Sequence, residues 1–254
     1  MPVDFAKLSL IGHRQENQDR IELISHPQST LMICVDGMGG HNNGARAAEI
    51  VVDTLGESFT GIARPVFDPQ GFLTMVLALA HERVVDFGAS QPVDHRPRAT
   101  CAICLVQDGN AYWAHVGDSR IYQLRDGKVR LRTRDHSHVE LLLREGLISE
   151  ADVKTHPMRN FVECCLGGDH ALPDMSISGR IPLEPGDLLL ACSDGYWSGL
   201  EERDLAALGS SQRPLDQQLL RTSELAIKNN GPNSDNTSAL ALVWHPTDSA
   251  ASIR

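Results

Sequence analysis

Five aspartates stand at the ends of short apolar, strand-like runs. Asp36 and Asp194 each follow such a run and precede a glycine, Asp118 closes another run, and Asp19 and Asp235 stand directly before two more. A single Asp-Gly pair is usually only a turn. Five such acids, with glycines that allow a backbone carbonyl to approach, instead predict an oxygen-ligand site for a hard divalent cation such as Mg²⁺ or Mn²⁺.

An arginine precedes the first of these acids by five positions. Arg14 lies in GHRQENQD, residues 12–19, so its side chain could reach an anion that also touches cations held by the aspartates. The planar guanidinium matches a phosphate group bidentately. The alternative is a surface arginine paired with Glu16 or Asp19.

Histidines and cysteines give weaker signals. His41, His115, His136 and His138 lack the spacing of imidazole ligands, and we expect hydrogen-bonding roles for them. The six cysteines fall mostly in apolar runs, which favours buried free thiols. The CxxC at 101–104 is a poor zinc signal, because strand alternation sends its two thiols to opposite faces.

The elements that must position these residues are mainly short strands. Strand patterns occupy residues 21–25, 30–35, 101–107, 110–116, 120–125, 128–132 and 238–244, with a further apolar run at 188–192. Asp108-Gly109 and Asp126-Gly127 separate neighbouring strands and predict type I′ hairpin turns. The middle of the chain is therefore predicted to be an antiparallel meander.

Helical spacing of apolar residues predicts two long helices and several shorter ones. The long ones cover residues 44–59 and 71–89, and the others cover 137–145, 149–154 and 215–229. Hairpin strands with helices between groups of them predict an α+β fold in which helices cover antiparallel sheets.

Composition limits the classes of function. The chain has 254 residues, 41% of them hydrophobic, and no repeat or linker divides it, so we expect one domain over 1–254. A net charge of −10 argues against nucleic-acid binding. The apolar runs are far shorter than the roughly 20 residues that cross a bilayer, and residues 1–9 lack the pattern of a secretory signal. We expect a cytoplasmic protein.

Seven short motifs occur in an order and spacing that resembles a known family. They are GHRQENQD at 12–19, VDGMGGH at 35–41, RAT at 98–100, VGDSRIY at 116–122, RDHSHV at 134–139, CSDG at 192–195 and SDNTS at 234–238. Together they resemble the metal-dependent serine/threonine protein phosphatases of type 2C, and in particular compact bacterial members.

The resemblance implies a four-layer α-β-β-α sandwich with a site for two Mn²⁺ or Mg²⁺ ions at one edge of the central sheets. It implies that Asp36 bridges the ions, that Asp194 and Asp235 complete the first, and that the Gly37 carbonyl helps hold the second. Asp19 would then orient water and Asp118 would lie near a third ion. Arg14 would bind the phosphate.

Three positions depart from the family pattern. Gln18 stands where many relatives have glutamate, Met38 stands where eukaryotic members have a histidine proposed as general acid, and Arg98-Ala99 precedes Thr100 in place of Gly-Thr. The first change removes a charge beside the cations, and the second leaves protonation of the leaving oxygen to water.

The stretch 135–160 lies where this family inserts a mobile flap, which we expect to influence substrate choice; an ordinary surface helical hairpin is the alternative. The implied activity is hydrolysis of phosphoserine and phosphothreonine in proteins by direct attack of water, with a separate Ser/Thr kinase as partner and a monomeric enzyme. Two other functions remain open from the residues alone: a catalytically silent phosphoprotein-binding module, and a phosphohydrolase that acts on small molecules.

Overall fold

The structure is a computed structural model that describes residues 4–39, 43–153, 155–209 and 213–246. Its strands form two antiparallel sheets. The first sheet has the order β1-β12-β11-β6-β7, and its strands are β1 Asp4–Leu10, β6 Arg120–Arg125, β7 Lys128–Arg132, β11 Leu188–Cys192 and β12 Thr237–Val243. The second sheet has the order β10-β5-β4-β3-β2, and two further short strands pair with it, β8 with β4 and β9 with β5. Its strands are β2 Asp19–Ser25, β3 Ser29–Met38, β4 Arg98–Gln107, β5 Asn110–Val116, β8 Leu166–Gly167, β9 Ser176–Ile177 and β10 Ile181–Pro182.

Helices α1 Asn43–Gly61 and α2 Pro69–Gly88 cover the outer face of the second sheet, and α5 Asp194–Trp197, α6 Glu202–Ala206 and α7 Leu215–Asn230 cover that of the first. The short helices α3 His138–Arg144 and α4 Glu150–Val153 lie in the segment between β7 and β8. Pro69 begins α2 behind the Asp68 cap, whose carboxylate accepts a hydrogen bond from the Gly71 amide at 3.0 Å. None of the described helices combines the length and apolarity that a bilayer crossing needs.

Three apolar clusters lie between the layers. One joins α1 and α2 to the second sheet, one fills the space between the sheets, and one joins the first sheet to α5, α6 and α7. These clusters give the layer order α-β-β-α, so the predicted α+β sandwich is confirmed. Cys101 packs in the first cluster and Cys104 between the sheets, as strand alternation predicted.

The sequence predicted most elements but not all of their bounds. Both hairpin turns have the backbone of type I′, with φ of 49° at Asp108 and 52° at Asp126, and a positive φ at the glycine that follows each. The first strand, β1, was not predicted. The predicted strand that begins at residue 30 extends to Met38, and the helix predicted over 149–154 is described only as Glu150–Val153, since residue 154 lies outside the described ranges.

All six cysteines are free thiols. Four are buried, whereas Cys164 and Cys165 are only partly buried, in a segment before β8 that is not a strand. The prediction of buried thiols is therefore right for the strand cysteines and wrong for this pair.

Candidate active site

Antiparallel pairing brings the sequence-predicted acids to one edge of the sandwich. In the first sheet, Cys192 is paired with both Arg120 and Ala239. Asp194 lies just past the end of β11, while Asp118 and Asp235 lie just before β6 and β12, so all three meet at the same edge. In the second sheet, Asp19 and Asp36 are direct cross-strand partners.

An open cavity of about 400 Å³ lies at this edge. Six of the seven predicted site residues line it, and Asp19 lies behind it. Its walls are Arg14, Gln15, Glu16, Gln18, Asp36, Gly37, Met38, Asp118, Asn160, Val162, Asp194, Asp235 and Asn236. The sequence did not predict Gln15, Glu16, Asn160, Val162 and Asn236 as wall residues; Gln15, Glu16 and Asn236 lie inside the motifs at 12–19 and 234–238 and were the most open to discovery.

Three of the cavity carboxylates, Asp36, Asp118 and Asp194, have raised pKa values in the protein alone. Burial, followed by the neighbouring carboxylates, raises the pKa of Asp36 and of Asp194 well above the ordinary value, although both side chains touch the cavity. Burial and then Asp135 raise the pKa of Asp118 to about 7. The cost of crowding these charges falls when a cation neutralises them.

Asp19 is 2% exposed and forms the back of the site. One carboxylate oxygen accepts a hydrogen bond from the Ser193 hydroxyl at 2.7 Å, while the other is buried with no hydrogen-bond partner in the described protein. Burial raises the pKa of Asp19 to about 6, an effect that bonds from Ser238 and Ser193 oppose. An unsatisfied buried carboxylate oxygen beside Asp36 fits an environment completed by a cation or its water.

Gly37 lets the backbone of β3 enter this edge closely. A Cβ at this position would lie 2.0 Å from the Gly44 carbonyl oxygen and 2.9 Å from that of Gln18. The Gly37 amide donates to the Gln18 carbonyl at 3.2 Å. Only glycine therefore fits between α1 and the loop before β2, and its backbone faces the cavity.

Arg14 binds an acid distant in sequence. Its Nη2 donates to Asp235 Oδ2 at 2.6 Å, so the predicted alternative of a local pair with Glu16 or Asp19 is wrong. The guanidinium remains half exposed at the cavity wall. It is thus placed between the acids and solvent, where an incoming anion would arrive.

The loop that carries Arg14 is fixed to the segment before β12. Asn236, which is buried, accepts from the Gln18 amide at 2.8 Å and donates to the Ile11 and Glu16 carbonyls, both at 2.9 Å. A Cβ at Gly12 would lie 2.2 Å from the Asp235 carbonyl oxygen. The amide side chain of Asn236 therefore uses donor and acceptor together to hold the Arg14 loop against the acids.

Asp118 is linked to the segment 135–160 by a buried ion pair. Arg120 donates to both carboxylate oxygens of Asp135 at 2.7 Å, and its guanidinium carbon lies 3.4 Å from the centre of the Trp197 ring. Trp197 in turn donates from Nε1 to the Asp118 carbonyl at 2.9 Å. The backbone at Asp118 thus shares one network with the start of the predicted flap.

The described histidines form hydrogen bonds outside the cavity. His115 bonds the Arg134 carbonyl at 2.7 Å, His136 bonds Ser176 at 2.8 Å and accepts from the Gly117 amide, and His138 bonds Glu163 at 2.7 Å. The predicted hydrogen-bonding role is confirmed for these three, and His41 lies outside the described residues.

The cavity offers oxygen donors suited to a cation but not a complete set of ligands among the described residues. Within the described ranges, no three His, Cys, Asp or Glu side chains form a finished set around one point, and Arg14 engages Asp235. The donor chemistry nevertheless fits hard divalent ions, because carboxylates and a glycine backbone converge on the cavity and the buried oxygen of Asp19 lacks a partner.

Comparison with known proteins identifies the family. The family model described as protein phosphatase 2C matches residues 9–228. A protein phosphatase 2C-type protein of Streptococcus pyogenes is 33% identical over 220 residues, which covers 84% of this chain and 86% of that protein.

Solved structures of serine/threonine phosphatases have the same fold as this chain. The serine/threonine phosphatase of S. agalactiae superposes with a TM-score of 0.88 at 27% identity, covering 96% of this chain and 100% of that one. The catalytic domain of the serine/threonine protein phosphatase PstP, solved with two manganese ions, has a TM-score of 0.78 at 25% identity and covers 95% of this chain and 97% of that one. With a matching family model, sequence relatives and the same fold, the chain belongs to the protein phosphatase 2C family and is a serine/threonine phosphatase.

Proposed function

We propose that this phosphatase uses two divalent cations, Mn²⁺ or Mg²⁺, to hydrolyse phosphoserine and phosphothreonine in proteins by direct attack of water. The observation that carries the proposal is the convergence of four aspartates on one cavity, with a fifth, half-satisfied aspartate behind it. Asp36 would bridge the ions, Asp194 and Asp235 would complete one, and the Gly37 carbonyl would help hold the other. Asp118 would serve a third ion.

Bound there, such ions would activate a water molecule and neutralise charge on the entering and leaving oxygens of an in-line displacement. The protein's own groups then have separate tasks. Asp19, fixed by Ser193, would accept a hydrogen bond from water at the back of the site. No cysteine lines the cavity, so the described residues offer no thiol nucleophile there.

Arg14 would bind the phosphate of the substrate. Its guanidinium already bonds Asp235 at the cavity. With Asp235 bound to a cation instead, the guanidinium would be free to bind a phosphate bidentately. Met38 lines the wall where eukaryotic relatives have a histidine, and no described histidine reaches the cavity. Water would therefore protonate the leaving seryl or threonyl oxygen.

The wider setting is part of the proposal. The whole chain would act as one catalytic domain and a monomer in the cytoplasm, on proteins phosphorylated by a separate Ser/Thr kinase. The segment 135–160 would act as the flap: it leads to Asn160 and Val162 in the cavity wall, which supports a flap over an unrelated surface hairpin.

Release of inorganic phosphate from a phosphothreonine peptide tests this function. Activity should require Mn²⁺ or Mg²⁺, stop with a chelator, and disappear in Asp36→Asn. Asp86→Asn, the same change at an exposed position on α2, should behave as wild type. Metal-independent release would refute the cation mechanism, and hydrolysis of nucleotides in preference to the peptide would favour a small-molecule phosphohydrolase.

A further inference from the structure

A run of basic residues interrupts this acidic chain. KVRLRTR, residues 128–134, contains Lys128, Arg130, Arg132 and Arg134 and no acid, in a protein with 33 acidic and 23 basic residues. All four are exposed. We call these four residues the basic strip.

Three residues of the basic strip, Lys128, Arg130 and Arg132, lie on β7, an edge strand, and Arg134 follows two residues after its end. β7 ends the first sheet, and within the described residues no strand pairs with its outer side. The pairing with β6 shifts between Gln123 and Leu124, so that Arg130 is the extra residue of a β-bulge. The outer edge of β7 therefore has no strand partner among the described residues, although α6 packs against the strand.

The strip's charge is only weakly compensated. Glu140 approaches Arg132 at 4.0 Å and Arg134 at 3.8 Å, and the Arg134 side chain stays 73% exposed. Within the described ranges, Lys128 and Arg130 have no carboxylate at salt-bridge distance. The strip thus presents positive charge that the described residues neutralise only in part.

Edge protection alone does not explain the residue types here. A bulge and charged side chains, lysine in particular, discourage edge-to-edge aggregation. Three of the four residues are instead arginines, and the planar guanidinium group matches carboxylate and phosphate groups bidentately. In a chain with more acidic than basic residues, this choice indicates an acidic ligand.

The basic strip leads to the active site. Asp135 follows Arg134 directly and holds Arg120, which lies two residues past Asp118 in the cavity wall. The backbone carbonyl of the next residue, His136, accepts a hydrogen bond from the Glu163 amide at 2.7 Å. Glu163 directly follows Val162, which lines the same cavity. With a rise of about 3.3 Å per residue, the strip runs about 20 Å away from this point.

We propose that the basic strip binds acidic or additionally phosphorylated residues that flank the phosphoresidue of substrate proteins. This inference rests on the proposed phosphatase function and specifies its substrates. With the phosphoresidue in the cavity, flanking residues of the same substrate chain extend along β7, where side-chain charge rather than strand pairing holds them.

Matched peptides test the proposal. Three phosphothreonine peptides are compared. One has six glutamates on the N-terminal side of the phosphothreonine, one has six glutamates on its C-terminal side, and one has six glutamines in place of the glutamates. Wild type should favour one glutamate peptide by about tenfold in kcat/KM at low salt, mostly through KM, and lose the preference in high salt. The double variant Arg130→Glu/Arg134→Glu should lose the preference for the glutamate peptide, whereas Arg130→Lys/Arg134→Lys should retain it. Wild type and both variants should hydrolyse p-nitrophenyl phosphate at the same rate.

A second charge reversal controls for net charge. Arg180→Glu/Lys228→Glu changes the charge equally at exposed positions elsewhere and should keep the preference. Equal rates on all three peptides in wild type, or loss of preference in this control, would overturn the proposal while leaving the phosphatase function intact. Release of phosphate from none of the peptides would instead mean that the proposed function is wrong.

Discussion

The two walls of the cavity are held in very different ways. One wall consists of strand ends, with Asp36, Asp194 and Asp235 fixed by antiparallel registers and buried clusters beneath them. A second wall, Asn160 and Val162, closes a segment of mostly exposed residues whose described part contains α3 and α4. The proposed cation ligands lie on the fixed wall, and the residues proposed to act as a flap lie on the loosely held one.

Few contacts attach the second wall. Ser137 pairs with Val162 in a single bridge, His138 donates to the Phe161 carbonyl at 3.0 Å, and the side chain of His138 bonds Glu163 where both are about one-third exposed. Sparse burial and exposed bonds give a low local free energy of opening. We therefore expect the second wall to open more readily than the first.

The largest effect should come from Asp36→Asn on the fixed wall. We expect activity to fall to background, because the central carboxylate is lost. The same change should raise the Tm of the metal-free protein, since a carboxylate whose folded pKa is raised destabilises the folded state once pH exceeds its unfolded pKa. Each kcal/mol corresponds to about 2 to 4 °C.

Thermal unfolding with and without Mn²⁺ checks this. Wild type should gain Tm on adding metal, and the variant should start higher and gain less. A metal-free variant that is less stable than wild type would contradict this prediction. It would mean that the contacts of the Asp36 carboxylate stabilise the folded state more than carboxylate repulsion destabilises it.

Arg14→Lys should have the next largest effect. Lysine keeps the charge but loses the two-pronged contact, so kcat/KM should fall roughly 10- to 100-fold, for a loss of about 1.5 to 3 kcal/mol. The Mn²⁺-induced rise in Tm should persist, which separates phosphate binding from cation binding. Loss of both would assign Arg14 to the cation site instead.

These two residues also show what sequence can predict. The Asp-Gly turns and strand-end acids were found because they depend on neighbours in the chain, through positive φ and the end of an apolar run. The pairing of Arg14 with Asp235 was not predicted, and the alternative of a local pair was wrong, because Asp235 lies 221 residues away. β1 was missed for the same reason: it pairs with β12 at the opposite end of the chain.

Asn236→Ala should loosen the Arg14 loop without touching the cavity acids. Three hydrogen bonds are lost, two of them leaving the Ile11 and Glu16 carbonyls without this donor, so unfolding should become easier by about 1 to 3 kcal/mol. KM should rise more than kcat falls. Asn229→Ala, which removes a single, partly buried hydrogen bond to the Gly199 carbonyl, should cost clearly less.

Arg120→Lys should weaken the link between the two walls. Lysine cannot reproduce the paired bonds to Asp135 or the stacking on Trp197. Amide hydrogen exchange at residues 136–163 should accelerate while exchange in β3 and β11 stays slow, with a several-fold loss of activity. Unchanged exchange in 136–163 would show that the segment does not depend on this ion pair.

The smallest effect should come from the loosely held wall itself. Met158 and Phe161 flank the cavity-lining Asn160 and are both exposed, so replacing each with serine removes apolar surface that no described core contact uses. Stability and hydrolysis of p-nitrophenyl phosphate should not change, because the fixed wall is intact. Only the ranking of phosphopeptides with different apolar neighbours should shift, by a few-fold in kcat/KM. If p-nitrophenyl phosphate hydrolysis falls as much as peptide hydrolysis, the segment shapes the catalytic site itself, and the division between a chemical wall and a selecting wall is wrong.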